Sequence, residues 1–334
     1  MPRITKEIIN QGEALYQGKA NKENPLGNSE NMIFEMETET TPLILRVSEY
    51  FKEKCSHVDF EVNWLSYLSK TMSEVARPVP SDHQRLFEVI SVHGKKYILT
   101  AFEKAPGKLV DTENPEEWNE ELFEKMGEMM GRMHSLSKGY KPGKAFEGRH
   151  CWDRDLFFQR EFDFTNDEKM DAVWENITNE LGKLPKTEDS YGIIHNDLHQ
   201  LNFFIDHHRI TVFDFDNCLY SWYALDIAIT LYQVASIAPY KDMEGKNQLA
   251  EEFIIPFLHG YRRHNRMDKS WGDYIPLFLK YRRICSYRFV KHLIKKESNP
   301  RFEQYADWLR GEILEEKEYV SLDLGKIKSL MGER

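Results

Sequence analysis

One stretch of this chain, Tyr191 to Asp216 (YGIIHNDLHQLNFFIDHHRITVFDFD), sets three oxygen-bearing side chains at spacings that suit a single chemistry. Asn202 follows Asp197 by five residues, and Asp214 closes the apolar run Ile210 to Phe213. Phosphoryl transfer asks little covalent work of a protein. The phosphate charge must be neutralised, and an acceptor hydroxyl must be placed in line. Asp197 is suited to orient that hydroxyl and take its proton. Asn202 offers a neutral oxygen and Asp214 a charged one to Mg²⁺, which takes few protein oxygens and keeps its waters and the substrate phosphates. Each residue alone would be an ordinary turn former, so the reading rests on the three together. His195 and His199 stand at i, i+4, but no glutamate is placed for an H-E-x-x-H metal site. They are expected to brace the loop, and His207-His208 to form a solvent turn.

These side chains need a strand–turn–strand frame. Ile193-Ile194 leads in, Phe203-Phe204-Ile205 reads as a short strand, and Ile210 to Phe213 as a second. H-x-D-x₄-N followed by D-F at the end of the next strand is the kinase pattern. The first hundred residues alternate as Met32–Glu37 and Leu43–Ser48 around a turn containing Pro42, which predicts a hairpin. Residues 57–70 put Phe60, Trp64, Leu65 and Leu68 on one helical face beside Glu61. Leu86–Val92 and Lys96–Phe102 read as two more strands. Pro106-Gly107 breaks the chain. A long helix is expected from Pro115, with Leu122, Met126, Met129, Met130 and Met133 as its buried stripe. From residue 151 onward helical periodicity dominates outside 191–216. The expectation is an α+β, bilobal protein-kinase-like fold. It has a small N-terminal nucleotide-binding lobe (1–101) with an antiparallel sheet and a helix, a hinge (102–107), and a larger, mainly helical catalytic and substrate lobe (108–334).

On these motifs the chain resembles the aminoglycoside phosphotransferase/choline kinase family, whose core reads H-[GN]-D-x-H-x-x-N and then a hydrophobic residue, Asp and Phe or Trp. His199 matches the second His. The resemblance covers most of the chain. It implies ATP and Mg²⁺ as cofactors, with Asp197 catalytic and Asn202 and Asp214 on the metal. It also implies that Arg46, in Leu43-Ile44-Leu45-Arg46-Val47, grips the ATP phosphates, an Arg being a fixed cation with bidentate geometry. Glu61 would steady Arg46. Asn28 and Ser29 would belong to a nucleotide loop carrying only Gly27, and the backbone at Phe102 and Glu103 would hold adenine. Asp226 would brace the catalytic loop. Asp216, at the third site of the D-F-G motif, is either a second metal contact or a loop residue. Asn196 stands where protein kinases carry the Arg of HRD, and no A-P-E motif follows, which argues against control by activation-loop phosphorylation.

The acceptor is less constrained. With 55 acidic against 45 basic residues and a net charge of −10, a general nucleic-acid binder is not expected, and a cationic hydroxyl acceptor fits. Trp152, Asp153 and Asp155 combine an aromatic face with negative charge, which suits an ammonium group; the alternative is a helix-rich surface segment. Trp222 and Tyr223 stand in the same position. The resemblance implies transfer of the ATP γ-phosphate to a hydroxyl of a small molecule, with an aminoglycoside-, choline- or homoserine-like acceptor; a Ser/Thr protein kinase of the same fold and a nucleotide-binding pseudokinase are the alternative functions. Val212 to Leu219 also resembles the DxDx[TV] motif of haloacid dehalogenase phosphatases, with Asp214 as nucleophile, a reading that leaves His195, Asp197 and Asn202 idle. Four scattered cysteines without a CxxC pair predict free thiols. An N-terminus without an apolar core and a longest apolar run interrupted by Asp226 predict a cytoplasmic protein with no membrane partner.

Overall fold

The computed structural model describes residues 6–23, 25–28, 31–143, 150–159, 162 and 167–332. In chain order the elements are α1 (Lys6–Leu15), β1 (Gly18–Ala20), β2 (Gly27–Asn28), β3 (Asn31–Thr38), β4 (Leu43–Glu49), α2 (Lys52–Leu68), β5 (Pro78–Val79), β6 (Glu88–Val92), β7 (Lys95–Glu103) and β8 (Lys108–Leu109). There follow α3 (Glu120–Gly139), α4 (Glu168–Gly182), β9 (Tyr191–Ile194), β10 (Phe203–Asp206), β11 (Arg209–Val212), β12 (Leu219–Trp222), α5 (Tyr223–Ala235), α6 (Met243–Tyr261), α7 (Ile275–Lys296), α8 (Pro300–Leu314) and α9 (Leu324–Gly332). The chain forms two compact units. One gathers the described residues of Met1–Leu109, Tyr140–Phe146 and Phe203–Asp216; the other holds those of Val110–Gly139, Glu147–Asn202 and Asn217–Arg334.

The first unit is built on an antiparallel sheet of order β1-β3-β4-β7-β5, with β2 on β3 and β6 on β7. The β3–β4 hairpin forms as its alternation predicts. Phe34, Met36, Leu45 and Val47 point to one buried face with Leu99 and Ala101 of β7, and α1 covers them with Ile8 and Ile9. The β6–β7 turn runs through His93 (φ 50°) and Gly94 (φ 79°), the doubly positive pair that matches strand twist. Helix α2 starts at Lys52, five residues before the predicted 57, and buries Phe60, Glu61, Trp64, Leu65 and Leu68. The β10–β11 hairpin belongs here as well: β10 pairs with β8, and the Val212 carbonyl accepts the Ala76 N–H at 2.8 Å. Gly107 (φ +89°) permits the β8–β10 approach, because a Cβ at that position would sit 2.0 Å from the Ile205 carbonyl oxygen.

In the second unit α3 begins at Glu120 and not at Pro115. Asn114 closes its own turn by accepting the Trp118 N–H at 2.8 Å. Asn119 then caps the helix, its Oδ1 accepting the Leu122 N–H at 3.1 Å, so the cap residue sets the start in place of the proline. Leu122 and the four methionines are buried as expected. Where α3 meets α6 the backbones nearly touch: a Cβ on Gly127 would lie 1.9 Å from the Phe257 oxygen, and one on Gly260 equally close to that of Glu124. Strands β9 and β12 pair antiparallel, Ile194 opposite Leu219. Helix α5 begins at Tyr223, and twelve of its thirteen residues are buried. All four cysteines are free thiols. Among the described residues no helix is long and apolar enough to cross a membrane.

Candidate active site

In the first unit, β4 carries Arg46 and α2 carries Glu61, and the two side chains meet in a bidentate contact. Arg46 Nη1 donates to Glu61 Oε1 at 2.9 Å and Nη2 to Oε2 at 2.5 Å. Arg46 Nε donates to Thr100 Oγ1 at 3.2 Å, and the guanidinium lies 5.0 Å from the centre of the Phe102 ring. Exposure is 5% for Arg46 and 2% for Glu61. Burial alone would lower the Arg46 pKa, but the Glu61 carboxylate outweighs it and Asp216 and Asp214 add to the rise. A buried cation is tolerated only with such partners.

Asp214 and Asp216 flank Phe215 on the segment after β11. Phe215 is fully buried and meets the Trp64 ring edge-on at 5.6 Å, which anchors the segment by its apolar member. Asp214 takes a left-handed conformation (φ 63°), which Asp tolerates better than most residues. Asn31 Nδ2 donates to Asp216 Oδ2 at 3.2 Å, and Ser48 Oγ donates to Asn31 Oδ1 at 2.7 Å. At the expected adenine-holding segment, the Glu103 N–H donates to the Arg77 carbonyl at 2.8 Å and the Lys104 N–H to that of Pro42 at 2.9 Å. Those two backbone donors are already committed. The Asn28 backbone pairs with Met32 in the sheet; its side chain, and Ser29 altogether, lie outside the described residues.

In the second unit, β9 delivers His195-Asn196-Asp197 and the first turn of α5 holds them through Asp226. The Asp226 carboxylate accepts the N–H groups of His195 at 3.0 Å and Asn196 at 2.8 Å, and His134 Nε2 lies 3.0 Å from it. Burial would raise this carboxyl, yet the contacts with His134, His195 and the Asn196 N–H hold it below the usual carboxylate range. Asn196 is left-handed (φ 68°), which turns the chain so that Asp197 projects from the loop. Asn202 Nδ2 donates to the Asp197 carbonyl at 2.9 Å, committing its amide nitrogen and leaving its oxygen for another partner. His199 Nε2 stands 3.8 Å from Asp197 Oδ2, and burial lowers the His199 pKa.

Two residues outside the predicted set touch Asp197. Gln233 of α5 and Arg282 of α7 both donate to its Oδ1, at 3.0 and 2.8 Å. No local motif marks them. Each is one polar residue on a helix distant in sequence, and only the helix packing brings it to the loop.

The aromatic residues expected on the acceptor side are corrected by the structure. Trp222 and Tyr223 are fully buried and Trp152 is 4% exposed. Trp152 packs on Trp222 with ring centres 5.1 Å apart, and Tyr223 stacks on His134 at 4.5 Å. They are core, placed there by the β9–β12 pairing and the start of α5. Asp153 is exposed, whereas Asp155 is buried. Asp155 accepts the Leu156 N–H at 2.6 Å and the Asn196 Nδ2 at 3.3 Å, and burial pushes its pKa up to about 6.

Residues 23–268 match a phosphotransferase enzyme family, APH. The chain belongs to that family. It is 34% identical over 292 residues to an amicoumacin kinase of Bacillus subtilis (strain 168), covering 86% of this chain and 85% of that protein. Among solved structures it is similar to an amicoumacin kinase in complex with AMP-PNP, Ca²⁺ and Ami, with a TM-score of 0.84, 27% identity and 96% of each chain covered. A microcompartment-associated aminopropanol kinase shares the fold, with a TM-score of 0.71, 20% identity, and 92% of this chain and 95% of that one covered. The expected kinase-like fold holds, and so does the expected enzyme class: the chain is an ATP-dependent kinase of small molecules. Family membership removes the dehalogenase-type reading of Asp214-Phe215-Asp216.

Proposed function

We propose that this kinase moves the γ-phosphate of ATP to a hydroxyl of an amicoumacin-like compound. The observation that carries this reading is the 34% identity to an amicoumacin kinase over most of both chains. Asp197, at the end of the loop braced by Asp226, orients the acceptor hydroxyl and accepts its proton. Arg46, kept charged by Glu61, grips the phosphates. The Glu103 and Lys104 N–H groups being committed, adenine is held by the Glu103 carbonyl and the backbone at Ala105.

Asp214 and Asn202 would hold Mg²⁺, with Asp216 as a further carboxylate; each side chain is of a type that suits a hard divalent cation, and the Asn202 amide nitrogen is spent on Asp197. Few protein oxygens plus substrate phosphates is what Mg²⁺ takes. When bound, Mg²⁺ would neutralise charge on the phosphate oxygens. The exposed Asp153 gives a cationic acceptor a complementary charge.

The test is ADP release from Mg-ATP with amicoumacin, choline, aminopropanol, homoserine and aminoglycosides offered in turn. Release with amicoumacin that Asp197→Asn abolishes, with Mg-ATP binding retained, is the expected result. Release only with another acceptor overturns the amicoumacin assignment. Failure to bind Mg-ATP overturns the roles of Arg46, Asn202 and Asp214. Label transferred from ATP to protein would favour a protein acceptor.

A further inference from the structure

Phosphate transfer to a hydroxyl needs more of Asp197 than its presence. A carboxylate has two oxygens and rotates, and a hydroxyl placed in line must meet one of them in a fixed direction. Here the rotation is blocked from one side. Arg282 Nη2 and Gln233 Nε2 both donate to Oδ1, at 2.8 and 3.0 Å, whereas His199 Nε2 stands 3.8 Å from Oδ2, beyond hydrogen-bond reach. The two donors arrive from different helices, α7 and α5, so neither follows the loop if it shifts.

Arg282 is an expensive way to fill this position. It lies mid-helix with its side chain 16% exposed, and its Nε–H is buried without a hydrogen-bond partner among the described residues. Burial works against its charge, and Asp197 is the foremost of the groups that restore it. An apolar residue at this place in α7 would pack without that desolvation cost. The backbone of His195 and Asn196 has an anchor of its own in Asp226, separate from the Arg282 contact.

We propose that Arg282, seconded by Gln233, is a positioning residue for phosphotransfer: it pins Oδ1 of Asp197 so that Oδ2 is presented to the acceptor hydroxyl. The proposal rests on the reading of Asp197 as the carboxylate that orients the acceptor.

The experiment compares the full-length enzyme with Arg282→Met, Arg282→Lys and Gln233→Leu, using Mg-ATP and whichever acceptor of the panel above the wild type turns over. For each protein kcat, acceptor KM, Mg-ATP affinity and the ratio of ADP released to acceptor phosphorylated are measured. Loss of one charge-assisted contact predicts that kcat of Arg282→Met falls roughly 10- to 100-fold. Acceptor KM and Mg-ATP affinity stay within about twofold while the ADP-to-product ratio rises above one. Arg282→Lys recovers part of kcat, and Gln233→Leu moves kcat and the ratio the same way to a smaller extent. Wild-type kcat and coupling in a folded Arg282→Met overturn the proposal. So does a parallel loss of Mg-ATP affinity and melting temperature, which is what a structural role alone would give. If Arg282→Met does not fold, Arg282→Lys and Gln233→Leu decide: unchanged kcat and coupling in both refute the positioning role. A wild type inactive on the whole panel refutes instead the reading of Asp197 on which the proposal rests.

Discussion

Arg46 and Glu61 face each other as two parallel forks, one on a central strand and one on the helix that follows it, with both charges withdrawn from water. Breaking such a pair from one side strands the other charge, at a cost of about 3–5 kcal/mol, whereas an apolar pair of similar volume is often neutral. Glu61→Leu is therefore expected to lose stability on that scale in urea unfolding, and Arg46→Met/Glu61→Leu to regain most of it. Calorimetry then separates fold from function. The double variant should be stable and bind Mg-ATP poorly, and wild-type affinity in it would remove Arg46 from the phosphate site.

The Asp226 carboxylate collects two backbone N–H groups and a histidine in a fully buried setting. Asp226→Ala leaves these donors without an acceptor, each worth roughly 1–3 kcal/mol. A melting temperature lowered by several degrees is expected, with turnover reduced because His195-Asn196-Asp197 loses its anchor. An unchanged melting temperature would show that the loop is held elsewhere.

Asp155 gives stability a pH dependence of definite sign. Its pKa is raised by burial to about 6 from an ordinary value of 3.8, so the folded state holds the proton more tightly than the unfolded chain. This group is most favourable to folding when protonated, and stability falls as pH rises between about 4 and 6, by on the order of 1–3 kcal/mol. Asp155→Asn should flatten that part of the curve when urea midpoints are measured from pH 4 to pH 7. Parallel curves for the two proteins would exclude the assignment.

The α3–α6 crossing leaves no room for a single methyl group. With a Cβ at Gly127 or Gly260 falling 1.9 Å from a carbonyl oxygen of the other helix, either Gly→Ala change must push the helices apart, at a cost of about 1–3 kcal/mol or more. This outweighs the gain of up to 1 kcal/mol that alanine brings to a helix interior. Unfolding midpoints of the two variants check it, and stabilisation by either would refute the packing argument.

What was legible in the sequence was local. The β3–β4 hairpin and the methionine face of α3 each follow from alternation, a turn or a helical stripe within one segment. Asp197, Asn202 and Asp214 were conspicuous because their spacing lies within one short stretch, and Glu61 could be singled out because the resemblance pairs it with Arg46. Gln233 and Arg282 carried no such mark, since contact with Asp197 depends on how α5 and α7 pack beside β9. Trp222 and Tyr223 were misjudged for the converse reason. Neighbours in sequence of an interesting aspartate look like site residues, but the strand β12 that places Trp222 was not foreseen, and Trp222 on it and Tyr223 at the start of α5 are both fully buried. The helix before β1 escaped notice because ten residues with four apolar side chains make a weak stripe; its burial comes from the sheet it covers.

The chain leaves the first unit after Leu109, returns briefly at Tyr140, and re-enters it again at Phe203 for fourteen residues before leaving at Asp216. The segment it brings back is the one that ends in Asp214-Phe215-Asp216. A recombination event or an engineered graft that exchanges only the leading 109 residues with a relative would import a sheet and α2 while keeping foreign partners for Val75 and Trp64 in the returning hairpin. The sheet with α2 and the segment packed against them are thus encoded in separate pieces, and a stable chimera must carry both at once.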